Sequence, residues 1–164
     1  MKKALGTVLV LIAIAALCLT ACGGRTTVNI SRSTDTTAVD LKSENETLTA
    51  ALTGIPSTGY EWSYKIDDDS LIGLEKMESK EEETEADMTG TSRTDMYTFK
   101  AKADGTTKIS FLYARNWEQT ESDLCYEVEV RIEKGVITWM EIKNDEMPLP
   151  DEIKEFVTGS DATA

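Results

Sequence analysis

Few residues in this chain could do chemistry, and most catalytic arrangements are excluded at once. There is no His among 164 residues. Ser-His-Asp and Cys-His catalysis need an imidazole to take and return a proton, so both are ruled out, as is every His-ligated metal site. The 3 Cys stand at positions 18, 22 and 125, too dispersed for a zinc site. Asp67-Asp68-Asp69-Ser70 lacks the spaced ligands and closing Glu of a calcium loop and reads as an acidic turn. Glu75 to Asp87, dominated by Glu, reads as a solvated loop. No spacing suggests a Ser–Lys dyad. The sequence therefore predicts no enzyme, no metal and no cofactor. The excess of 30 Asp and Glu over 17 Lys and Arg, a formal charge of −13, also excludes nucleic acid, whose phosphates require a basic footprint.

What remains is the chemistry of binding, concentrated in three segments. The first is Gly54-Ile55-Pro56-Ser57-Thr58-Gly59-Tyr60-Glu61-Trp62. Pro fixes φ, Gly59 permits positive φ, and Ser57 and Thr58 can hydrogen-bond locally, so a stiff turn is expected. It ends in two aromatics, Tyr60 and Trp62, either presented outward or folded into a core. The second segment, Met88-Thr89-Gly90-Thr91-Ser92-Arg93-Thr94, is a polar loop ahead of Tyr97-Thr98-Phe99. The third is Tyr113-Ala114-Arg115-Asn116-Trp117-Glu118. Trp and Arg are both enriched at binding hot spots; the alternative for Trp117 is a ring folded back on the core.

The elements that must position these loops read as strands. Short alternating or apolar runs occupy Thr37–Leu41, Glu46–Thr53, Glu61–Ile66, Leu71–Met77, Met96–Ala101, Thr107–Tyr113, Leu124–Glu133 and Val136–Ile142. Thr47-Leu48-Thr49-Ala50-Ala51-Leu52 fits one buried and one wet face. Asp104-Gly105 between two runs is a hairpin signal. Seven or eight strands in about 105 residues predict an all-β fold, an immunoglobulin-like antiparallel sandwich of two sheets. Cys125 alternates with Glu127 and Glu129 and is expected to be a partly buried thiol without chemistry. Near the C-terminus, Pro148-Leu149-Pro150-Asp151-Glu152 predicts a short helix, with Pro at a first position and acids in the first turn. Ile153, Phe156 and Val157 would share a face and dock on the sandwich.

The N-terminus reads as a targeting segment. Lys2 and Lys3 precede an uncharged apolar run from Leu5 to Leu17, followed by Leu19-Thr20-Ala21-Cys22-Gly23. This resembles the lipobox of bacterial lipoproteins, which implies lipidation of Cys22 and cleavage before it. The alternatives are an uncleaved anchor, for which the run is short, or a plain secretory signal with a chance Cys. The expected organisation is a lipoprotein signal peptide at 1–21, a flexible tether at 22–36, rich in Thr, Ser, Gly and Arg, the sandwich at 37–143, and a tail at 144–164.

Taken together, the three loops resemble the chagasin family of cysteine-protease inhibitors. Ile55-Pro56-Ser57-Thr58-Gly59-Tyr60-Glu61-Trp62 is similar to that family's Asn-Pro-Thr-Thr-Gly-Tyr/Phe-Xaa-Trp. Arg115-Asn116-Trp117 is similar to its Arg-Pro-Trp, which also follows an aromatic strand end. Gly90 precedes an aromatic strand, as in the family's middle loop. Ile55 stands in place of Asn, Asn116 in place of Pro, and the middle loop has one Gly fewer. The resemblance covers about residues 37–133. It implies a reversible inhibitor of papain-like cysteine proteases that plugs the catalytic cleft with three loops. The protease-binding residues it implies are Pro56, Ser57, Thr58, Gly59, Tyr60, Gly90, Thr91, Arg115, Asn116 and Trp117. A monomer, exported and held by lipid on Cys22 at the cell membrane or outer membrane, facing outward or into a periplasm, is expected. The competing expectation is a lipid-anchored immunoglobulin-like binding or adhesion module of the cell envelope.

Overall fold

The structure, a computed structural model, describes residues 27–34, 37–81, 91–115, 117–118, 120, 123–144 and 147–158. Residues 1–21, Cys22, Gly90 and Asn116 therefore lie outside the described residues, as do residues 82–87 of the acidic run and the end of the tail.

Two five-stranded antiparallel sheets face each other. In the first the order is β1-β2-β3-β6-β5, with β1 (Thr27–Ser33), β2 (Ala38–Glu44), β3 (Thr47–Gly54), β5 (Ile72–Glu81) and β6 (Arg93–Ala101). In the second it is β10-β4-β7-β8-β9, with β4 (Glu61–Ile66), β7 (Gly105–Ala114), β8 (Leu124–Glu133), β9 (Val136–Asn144) and β10 (Val157–Thr158). The predicted immunoglobulin-like sandwich is the fold. Alternation explains it: Leu48, Ala50 and Leu52 are fully buried, while Thr47, Thr49 and Ala51 between them are not. Val128, Val130 and Ile132 do the same in β8. Between the sheets Tyr64 meets Phe99 edge-on at 5.4 Å, and Phe99 meets Phe111 at 6.1 Å. Truncating such a ring to Ala costs about 3–5 kcal/mol.

Four expectations are corrected. Residues 75–81, the first part of the acidic run read as a solvated loop, continue the edge strand β5, paired with β6 from Lys76↔Thr98 to Glu81↔Arg93; an edge strand tolerates charged, exposed side chains. Residues 27–33, assigned by composition to the tether, form β1, paired along its length with β2 from Thr27↔Glu44 to Ser33↔Ala38. An edge strand needs few apolar residues; here Val28 and Ile30 pack against the core. Asp104-Gly105 is not a hairpin: β6 and β7 belong to different sheets, and the segment crosses between them. The Asp104 carboxylate instead accepts the N–H groups of Lys134 and Gly135, at 2.9 and 2.8 Å, and braces the β8–β9 turn. That turn has positive φ at both residues, 55° and 74°, as a two-residue primed hairpin requires. The tail helix α1 is a single turn, Pro150–Ile153, so Phe156 and Val157 lie beyond it, Val157 in β10 beside Tyr64.

The tail crosses the outer face of the second sheet. Leu112 points away from the inter-sheet core, between inward-facing Phe111 and Tyr113, yet is only 2% exposed. Ile153 and Phe156 share a small cavity with it. Cys125, expected to be partly buried, is 6% exposed, in a hollow roofed by Met147, Pro148, Leu149 and Phe156. Lys65 and Glu155 pair at 2.5 Å across the same junction.

Candidate functional site

Strand register brings the three loops to one end of the sandwich. Gly54, the last residue of β3, pairs with Arg93, the first of β6. Arg93 also pairs with Glu81, the last of β5. In the other sheet Glu61, the first of β4, pairs with Ala114, the last of β7, and Tyr113 pairs with Leu124 at the start of β8. The strand ends that flank the three loops, Gly54 and Glu61, Glu81 and Arg93, and Ala114 and Leu124, therefore lie at the same end. The middle loop is flanked by Asp95, buried, which accepts Arg93 Nη2 at 3.1 Å and the Ser79 hydroxyl at 2.6 Å, and by the Thr53 and Thr94 hydroxyls, 2.8 Å apart. Thr91 at its margin is exposed.

The first loop is a 3-10 turn, Pro56–Thr58, stopped by Gly59 at φ 81°. Proline presets the turn's entry, and the left-handed Gly59 ends it without a Cβ penalty. Its hydrogen bonds are internal. The Ile55 carbonyl accepts Thr58 N–H at 3.1 Å and the Thr58 hydroxyl at 2.5 Å, and the Pro56 carbonyl accepts Gly59 N–H at 2.9 Å. At its base Ile55 N–H donates to the Tyr113 hydroxyl at 3.1 Å, and the Trp62 indole donates to the Thr53 carbonyl at 3.1 Å. Ser57 and Thr58 stand exposed at the tip.

The third loop closes on the first. A bridge between Arg115 and Glu118 folds it into a tight turn, reinforced by an ion pair between their side chains. Arg115 does not point into solvent. Its Nε donates to the Thr58 carbonyl at 3.1 Å, and its guanidinium lies 4.8 Å from the Tyr60 ring centre and 6.0 Å from that of Trp117. Trp117 is 66% exposed, with one part of its indole against Gly59. Further along, Asp123 accepts Thr120 N–H and hydroxyl at 3.0 and 2.9 Å, and Thr120 in turn meets the Tyr60 hydroxyl.

Tyr60, expected among the binding residues, is a correction: it is 9% exposed, stacked on Tyr113 at 5.1 Å and roofed by Arg115. An aromatic face gains more between two such neighbours than in water. Trp62 is likewise in the core, 4.9 Å from Tyr113. Pro56, Ser57, Thr58, Gly59, Arg115 and Trp117 are brought together as one surface. Tyr113, Thr120 and Asp123 support it and were missed by sequence reading: the contacts of Tyr113 and Thr120 reach across some sixty residues of chain, and Asp123 acts through Thr120.

Burial pushes the Tyr97 phenol well above its usual range, with the Asp95 charge adding to the effect. Its hydroxyl donates to the Trp62 carbonyl at 3.3 Å, which ties the first sheet to the strand beneath the loops.

One end of the β-sandwich thus carries a locked turn, an exposed indole and a bracing guanidinium. Residues 42–130 match the family described as "Chagasin family peptidase inhibitor I42", and the chain belongs to the chagasin family of peptidase inhibitors, whose members bind cysteine proteases. Among solved structures, the chain is similar to the cysteine protease inhibitor EhICP2 from Entamoeba histolytica. The two are 28% identical over 48% of this chain and 73% of that one, with a TM-score of 0.41. No curated protein matches the chain.

Proposed function

We propose that this protein is a reversible, competitive inhibitor of papain-like cysteine proteases, and that the three loops fill the catalytic cleft together. The observation that carries this reading is the locking of the first loop before any partner arrives: the Ile55, Pro56 and Thr58 carbonyls are all occupied within the protein. A loop that is already ordered avoids the entropy of being ordered on binding. Ser57 and Thr58 would face the catalytic thiolate, and Trp117 would lie on one rim. Thr91, with Gly90, would meet the opposite wall. An interface of about 800 Å² per partner is normal for protease inhibitors.

The same reading has the chain exported and processed before Cys22, lipidated there, and acting as a monomer tethered at the outer side of a membrane. Lipidation with more than one chain makes such anchoring stable. The motive is Leu19-Thr20-Ala21-Cys22 behind a charged and apolar leader. Titration of papain with the purified protein tests the inhibitor reading. Competitive inhibition with the inhibitor recovered intact is expected. No inhibition at micromolar protein would overturn it in favour of a binding or adhesion module.

A further inference from the structure

We infer that Arg115 is a positioning residue that keeps the Thr58–Gly59 peptide bond from being cleaved by the protease the loop obstructs. The inference rests on the reading that the first loop enters a cysteine-protease cleft. The exposed tip, Ser57–Thr58, would put this bond close to the attacking sulfur. An inhibitor that binds there must therefore avoid becoming a substrate.

The bond is held from three sides. The Thr58 carbonyl oxygen accepts Arg115 Nε at 3.1 Å. The Gly59 nitrogen donates to the Pro56 carbonyl at 2.9 Å. The Gly59 Cα is covered by Trp117, for a Cβ built there would stand 2.6 Å from Cη2 of the indole. Arg115 is itself fixed, by its ion pair with Glu118 and by its position over the Tyr60 ring.

Cleavage would require these holds to open. The thiolate adds to the Thr58 carbonyl carbon, and the C=O electron pair moves onto oxygen, which must turn into the protease's oxyanion hole. The adduct then expels the Gly59 nitrogen, which takes a proton from the imidazolium. Water hydrolyses the remaining thioester, releasing the Thr58 carboxyl group and the thiol. In this protein the oxygen that must turn is already bound to a cation. The nitrogen that must leave is tied back into the 3-10 turn. A charge-assisted hydrogen bond is among the stronger single restraints available to a surface loop, and of the two hydrogen bonds that hold the peptide it is the one a side chain supplies.

Arg115 can be separated from general packing by three variants. Arg115→Ala removes the donor and the stem, Arg115→Met keeps a stem over Tyr60 without the donor, and Arg115→Lys keeps a donor within reach of Thr58. Each full-length protein is incubated with papain and followed by intact mass, with a melting curve alongside. The wild type and Arg115→Lys are expected to persist. Arg115→Ala and Arg115→Met are expected to be cut at Thr58–Gly59 about tenfold faster or more, the factor such a hydrogen bond commands, with inhibition that decays as the cut accumulates. If both stay intact, or are cut at scattered bonds along with a collapsed melting curve, the role assigned to Arg115 is overturned. Failure of the wild type to inhibit papain would overturn the proposed function instead. The difference in cleavage at 58–59 between wild type and Arg115→Met would still decide the role of Arg115.

Discussion

Trp117 of the third loop sits directly on Gly59 of the first: a methyl group in place of one Gly59 hydrogen would come within 2.6 Å of the indole Cη2 and 3.0 Å of its Cζ2. The two loops leave different strands but form one surface, and the glycine is needed both for its φ of 81° and for the space above it. Gly59→Ala should cost about 1–2 kcal/mol of stability from backbone strain and push the indole aside. If the displaced indole takes even about 1.4 kcal/mol of binding with it, inhibition weakens about tenfold. Melting curves and papain titration on the same preparation check both effects.

Trp117→Ala separates binding from folding. The side chain is 66% exposed, so little core is lost on truncation. Melting temperature should hardly move, while protease binding should weaken by at least about 2 kcal/mol, as for other hot-spot aromatics. A large fall in melting temperature with unchanged inhibition would mean that the indole serves the fold.

Tyr113→Phe tests the base of the first loop. The variant leaves the Ile55 N–H without the hydroxyl that accepts it at 3.1 Å. A part-buried donor left unpaired costs about 1 kcal/mol or more. The stacking of Tyr60 and Trp62 on the ring survives the change. A modest drop in stability and a measurable loss of inhibition are expected together. Loss of stability alone would show that the loop keeps its shape without this bond.

Asp104 predicts a defined pH dependence. Its carboxyl is held below the ordinary value of 3.8, first by the Gly135 N–H and then by that of Lys134. A depressed folded value means that the carboxylate contributes stability above the unfolded value and loses it as pH falls through the folded one. Asp104→Asn should therefore be less stable than wild type at neutral pH, and the gap should close on the acid side of 3.8. Urea midpoints measured across that range supply the check, and a gap independent of pH would refute it.

The tail prediction concerns Cys125. Removing residues 147–164 should uncover the thiol and Leu112, both now buried under the tail. Exposing a buried Leu costs about 1.5–3 kcal/mol. The thiol should react much faster with Ellman's reagent in the truncated protein than in the full chain. Equal rates would mean that the outer face of the sheet shields the thiol without help.

Local patterns in the sequence determined a good part of this protein. Alternation in Thr47–Gly54 and Leu124–Glu133 specifies which face of each strand is buried, because side chains in a strand point to opposite sides in turn. Pro56 and Gly59 specify a stiff turn, because the permitted dihedrals of both residues are set by their own covalent structure. The loop residues with their order also carried the family likeness. Tertiary structure decided what depends on partners remote in the chain. Residues 27–33 are too polar to announce a strand, and only the edge of β2 makes them one. Asp104-Gly105 has the chemistry of a hairpin, but whether the next strand stays in the sheet or crosses is settled by where β7 finds its neighbours, β4 and β8. Arg115 could have faced a partner. It turns inward because the Thr58 carbonyl and the Tyr60 ring, more than fifty residues earlier, arrive beside it when β4 pairs with β7 and sets Glu61 opposite Ala114. Such long-range encounters leave no period or motif along the chain, for the interaction exists only once both strands are in place.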